Sequence, residues 1–132
     1  MKMYMINSIR TNNFSDKEIM EKIQTMWEES SSKLENYNGI VYGIYFDYES
    51  DYKGDYSLSV AIEDDHGDSL VEIPNDEKYE VFKVDATNEQ GIIKTWNKIW
   101  QLEEAGSLDR VYSYDFEKYY SNGEIEIHIA IK

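Results

Sequence analysis

DFEKYYSNGEIEIHIAIK, Asp115 to Lys132, holds two strand-like runs on either side of the turn signal Ser121-Asn122-Gly123. Its second run alternates without a break. Ile125, Ile127, Ile129 and Ile131 share one face, and Glu126, His128 and Ala130 share the other. Such a strand is half-buried on its isoleucine face, which leaves a glutamate and a histidine to be explained on the opposite one.

Working backwards along the chain, the same vocabulary recurs. Met3 to Ile9 reads as a strand. Ser15 with Glu18 forms a capping-box pattern, Phe14 with Ile19 a hydrophobic staple, and Ile19, Ile23, Met26, Trp27 and Leu34 an apolar helical stripe. The serine run at 30–32 weakens the end of that helix, and Asn38-Gly39 closes it. Ile40 to Tyr48 and Asp55 to Glu63 read as two strands around a turn at 51–54, and Asp64 to Asp76 as a charged connection holding the single proline, Pro74. Lys78 to Asp85 is then a strand. Thr87 with Gln90 repeats the capping box, and Ile92, Ile93, Trp96, Ile99 and Trp100 repeat the stripe. Gly106 stands where a helix-ending residue of positive φ belongs, and Arg110 to Tyr120 and Glu124 to Ile131 complete the set.

The order is therefore strand–helix–strand–strand, twice. An offset of 69 residues brings Ile23 onto Ile92, Trp27 onto Trp96 and Gly54 onto Gly123. The pattern predicts an α+β fold: one domain over 1–132, built from pseudo-repeats 1–63 and 77–132. Its duplicated βαββ units share an antiparallel-rich sheet, with two helices on one face and a ligand groove on the other. In that register Ser57, Ser59 and Ala61 match Glu126, His128 and Ala130, so the expected groove has small side chains in one half and a carboxylate in the other.

Composition narrows the function. Twelve Tyr, three Trp and four Phe are many for 132 residues, and tyrosine suits the walls of wet clefts. Thirteen basic against twenty-seven acidic residues give a net charge of −14, which opposes direct binding to nucleic-acid phosphates. The charge suits cationic ligands, and it leaves open a basic protein partner or a homodimer. With no cysteine, disulfides, thiol catalysis and thiolate metal sites are excluded. MKMYMINSIR lacks the apolar core of a signal peptide, and no apolar run approaches the roughly 20 residues of a membrane helix, so a cytoplasmic protein is expected. Asp47, Glu49 and Asp51 have alternate spacing but Tyr52 where a calcium loop needs glycine. Asp64, Asp65, His66 and Asp68 lack a second cluster. Both read as solvated loops, and neither metal nor cofactor is expected.

Several of these segments together resemble the GyrI-like effector-binding domains, found alone or fused to AraC-type and multidrug-responsive transcription regulators. The resemblance is carried by IPNDEKYEVFKV (Ile73–Val84), TWNKIW (Thr95–Trp100), DFEKYY and EIEIHIAIK, while YFDYESDYKGDYSLSV (Tyr45–Val60) is similar to stand-alone integron-cassette members. It implies the duplicated βαββ fold, a groove between the halves, and a glutamate on the terminal strand, a position Glu126 occupies. Ala130 stands where the family has proline, and Asp76-Glu77-Lys78 replaces its small residue before Tyr79.

The expected site is thus Glu126 as anchor, with His128 at the rim and Tyr45, Tyr79, Trp100 and Tyr119 as candidate walls; Trp27 and Trp96 are assigned to packing. A carboxylate between aromatic walls calls for a cation that also presents a face to the rings. The expected function is binding of a small, aromatic or cationic effector, as a drug-sensing or transcription-regulation module. Two alternatives stand beside it. The family includes hydrolases of cyclopropane-type compounds that use a groove glutamate, for which Glu126 would be the base, and it includes gyrase inhibitors that act by protein contact.

Overall fold

The computed structural model describes residues 1–64 and 70–132. Among them run β1 (Lys2–Thr11), α1 (Ile19–Lys33), β2 (Val41–Phe46), β3 (Tyr56–Glu63), β4 (Leu70–Glu72), β5 (Lys78–Val84), α2 (Gly91–Glu104), β6 (Asp115–Tyr119) and β7 (Ile125–Ile131). The strands form one antiparallel sheet in the order β4-β1-β3-β2-β6-β7-β5. Each half contributes its strands in the same internal order, β1-β3-β2 and β5-β7-β6, and the halves join where β2 pairs with β6. The fold is α+β with two helices over an antiparallel sheet, as the alternation predicts.

Both helices pack on one face. In β7 the isoleucines turn inward as expected, and Ile127 and Ile129 are fully buried with Ile99 of α2. In β3 Tyr56, Leu58 and Val60 bury against Met26 of α1. Ser30, wholly buried on α1, donates its hydroxyl to the Met26 carbonyl at 2.7 Å, and the helix ends at Lys33, directly after the serine run and short of the stop expected at Asn38-Gly39. The other face carries a second core of Met3, Tyr42, Ile44, Ala61, Ile73 and Phe116. That layer fills the side on which the groove was expected.

Four local readings are corrected. Neither capping box forms: α1 begins after Glu18 and α2 after Gln90, without side-chain caps. Asx turns capture the backbone donors instead. Asn12 Oδ1 accepts from Phe14 and Ser15, Asp16 Oδ1 from Glu18, Asp85 Oδ1 from Thr87, and Asn88 Oδ1 from Gln90. Phe14 does not staple its own helix. It is 61% exposed and leans on Tyr52 and Trp100, with ring centroids 5.9 and 5.7 Å away. The run from Arg110 is not one strand, because Tyr112 has φ 61° and leaves Arg110 only an isolated bridge to Ile131 before β6 begins. Lastly, the connection after Glu63 contains β4, which pairs with β1 through Lys2–Tyr4.

Candidate functional site

Where the two halves meet, α1 lies against β1 and β3 and α2 against β5. The central pair, β2 and β6, is left uncovered between them. The result is a cleft of about 410 Å³ on the helix-bearing face, floored by Tyr45, Leu58, Glu117 and Tyr119. Ile23 and Trp27 of α1 form one wall; Ile92, Trp96 and Trp100 of α2 form the other. The groove therefore sits between the helices and not on the opposite side of the sheet.

Glu117 is the polar centre of this floor. It lies on β6, is 4% exposed, and receives three hydrogen bonds. The Tyr45 hydroxyl donates to Oε2 at 2.7 Å, Trp96 Nε1 to the same oxygen at 2.8 Å, and the Tyr119 hydroxyl to Oε1 at 2.6 Å. Burial, and next the neighbouring Glu117 charge, push the Tyr45 and Tyr119 hydroxyls well above the ordinary tyrosine range, so they remain donors. Gly43, opposite Glu117 across the β2–β6 ladder, makes the arrangement fit. A Cβ there would stand 3.2 Å from Glu117 Oε1 and 3.5 Å from Trp27 Cζ2.

The cation bordering the cleft is already matched. Arg110, 5% exposed, gives Nη2 to Asp115 Oδ2 at 2.8 Å and Nη1 to Glu103 Oε1 at 3.3 Å, and its guanidinium lies 4.2 Å from the Tyr112 ring centre. Asp115, fully buried, also accepts from the Tyr48 hydroxyl at 2.5 Å and the Ala130 amide at 2.8 Å. At one end Tyr52 stacks on Trp100, with centroids 5.4 Å apart and planes 14° apart. The cleft thus combines aromatic side chains with a carboxylate that, among the described residues, has donors but no counter-cation. Such a site attracts positive charge.

Of the residues expected at the site, Tyr45, Trp100 and Tyr119 line this cleft, and Glu126, His128 and Tyr79 do not. The β6–β7 register explains the division. Glu117 pairs with Ile127 on the helix side, while Lys118 pairs with Glu126 on the other. Glu126 borders a shallow depression beside Asn122 and Gly123 that has no aromatic lining. It accepts from the Tyr120 hydroxyl at 2.7 Å and lies 3.1 Å from His128 Nε2. His128 stacks on Phe116 at 4.6 Å, and Tyr79 packs behind it with its hydroxyl buried.

Three groups missed from sequence belong to the cleft: Glu117, Trp27 and Trp96. Glu117 stood inside DFEKYY, alternating with Phe116 and Lys118 and so sharing a face with Asp115 and Tyr119. Two acids on one face of a sheet-centre strand were the available signal. Among the described residues no group of three or more His, Asp or Glu could hold a metal ion. Asp65, His66 and Asp68 lie outside the described residues. No helix among the described residues is long and apolar enough to cross a membrane.

Comparison with known proteins agrees with this architecture. An integron cassette protein from the mobile metagenome of Vibrio cholerae has a similar crystal structure, with a TM-score of 0.75 and 28% identity over 99% of this chain and 90% of that one. No curated protein matches the sequence. The family model Cass2, described as integron-associated effector binding protein, matches residues 4–131. The chain belongs to this family of integron-associated effector binding proteins.

Proposed function

We propose that the effector bound by this chain is a lipophilic, partly aromatic cation, held in the inter-helix cleft with Glu117 as its charged anchor. The supporting observation is the carboxylate itself: 4% exposed, hydrogen-bonded by three neutral donors, and unmatched by a cation among the described residues. A positive ligand would complete the charge balance, and the aromatic side chains of Trp27, Trp96 and Tyr45 line the space it would occupy. The chain would serve as the sensing part of a drug response or of transcriptional regulation. The net charge of −14 favours approach of cations from solution.

The binding reading is preferred to hydrolysis. A general base in this cleft would use a lone pair on Glu117, and three of its roughly four acceptor positions are already engaged, by Tyr45, Trp96 and Tyr119. Glu126, the base expected from sequence, borders no aromatic cleft.

The protein carries its own reporter, because Trp27, Trp96 and Trp100 all line the cleft. Titration with tetraphenylphosphonium should change tryptophan emission saturably. The absence of any saturable change up to millimolar ligand would overturn the proposal.

A further inference from the structure

The hydrogen bonds around Glu117 also bear on the kind of cation, provided that the cleft binds cations at all. A carboxylate offers about four acceptor positions, two on each oxygen. Oε2 is filled by Tyr45 and Trp96. Oε1 takes the Tyr119 hydroxyl and lies against Gly43, where even a Cβ would come within 3.2 Å. One acceptor position is left, and it is crowded by the floor. The other side-chain carbonyl at the cleft, Asn13 Oδ1, already accepts from the Tyr56 hydroxyl at 2.6 Å. Hydrocarbon from Ile19, Ile23, Leu58 and Ile92 supplies much of the remaining lining.

Charge and hydrogen-bonding capacity are thus separated in this cleft. Among the described residues its negative charge is unmatched by a cation, yet three of the roughly four acceptor positions on the Glu117 carboxylate are taken by the protein's own donors. A primary ammonium brings three N–H groups, each of which loses water on entry and needs a replacement acceptor. A quaternary ammonium or phosphonium has no N–H to satisfy and interacts through charge and ring faces alone. We propose that the cleft discriminates in favour of cations lacking N–H donors, rejecting primary ammonium compounds of similar shape. Tyr45 and Tyr119 are the specificity-determining residues, because their hydroxyls occupy the acceptors that an N–H would use.

The test is calorimetry with a matched pair, (4-phenylbenzyl)trimethylammonium and 4-phenylbenzylammonium, both cationic at neutral pH. The wild type should bind the quaternary compound more tightly by about tenfold or more. Added methyl groups contribute to that ratio, so the decisive quantity is its change in Tyr45→Phe and Tyr119→Phe, each of which frees one acceptor. In either variant the ratio should fall by about fivefold or more, chiefly through tighter binding of the primary amine. If both compounds bind but neither variant moves the ratio, the discrimination inference is overturned while the cation-binding reading stands. If neither compound binds the wild type, both are overturned. Near-ultraviolet circular dichroism establishes that each variant is folded, and agreement between two independent hydroxyl deletions guards against a local rearrangement in one.

Discussion

Trp96 Nε1 donates to Glu117 Oε2 at 2.8 Å, tying helix α2 to a carboxylate on β6, at the junction of the two halves. The bond fixes the indole plane that forms one wall and also satisfies part of the buried acid. Trp96→Phe keeps an aromatic wall but removes the donor. Stability should fall by about 1 kcal/mol, since two donors to Glu117 remain. Urea unfolding followed by far-ultraviolet circular dichroism measures this, and an unchanged midpoint would mean that the bond contributes nothing.

Gly43 provides a second lever on the same carboxylate. Gly→Ala in a compatible strand ordinarily stabilises through the unfolded chain, by about 0.4–1 kcal/mol. Here the new methyl would press on Glu117 Oε1 and Trp27 Cζ2. Gly43→Ala should therefore destabilise, by about 1 kcal/mol, and weaken cation binding by about tenfold. A stabilised variant with full affinity would show that the floor yields freely.

The buried pair Arg110–Asp115 supports one border of the cleft. Removing Arg110 alone strands a fully buried carboxylate, so Arg110→Met should cost about 3–5 kcal/mol. Adding Asp115→Asn should recover part of the loss, because an amide oxygen can still accept the Ala130 amide proton. A double variant no more stable than the single one would contradict this, as thermal unfolding of the set can show.

His128 sets the pH response of the opposite face. Burial, partly opposed by Glu126, pushes its imidazole below the ordinary histidine range. The unfolded chain then takes up a proton first as pH drops below about 6.5, so stability declines from there until the folded histidine also protonates. Glu126 acts lower on the scale. The Tyr120 hydroxyl first and His128 second hold its carboxyl below the usual range, and its stabilisation is lost as pH falls through that lowered value. His128→Phe should flatten the stability profile just below pH 6.5 while leaving cation binding intact. Chemical denaturation across pH compares the two proteins, and a parallel profile would contradict the assignment.

What could be read from the sequence follows its periodicities. The isoleucine alternation in β7 buries against the α2 stripe and the α1 stripe buries against β3, although Ile93 of the α2 stripe turns outward and is 55% exposed. The α+β architecture follows from them. The location of the cleft did not, because it depends on where the helices fail to meet. α1 and α2 cover the outer strands of their halves, and no local pattern reports that β2 and β6 stay open. Glu126 drew attention as an acid in a clean alternation, whereas Glu117 sat one strand away in DFEKYY, where the register across the Asn122-Gly123 turn decides the face. The repeat aligns Trp27 with Trp96 and the helical stripes predict packing for both; each is both packing and cleft wall. The capping boxes failed because Asn12, Asp16, Asp85 and Asn88 reach backbone donors first.

The comparison that separates Glu117 from Glu126 is calorimetric titration of tetraphenylphosphonium into the wild type, Glu117→Gln and Glu126→Gln. Glu117→Gln should lose at least about tenfold in affinity, roughly 1.4 kcal/mol, and Glu126→Gln should bind like the wild type. Full affinity in Glu117→Gln, or a loss confined to Glu126→Gln, would contradict the placement of the effector in the inter-helix cleft.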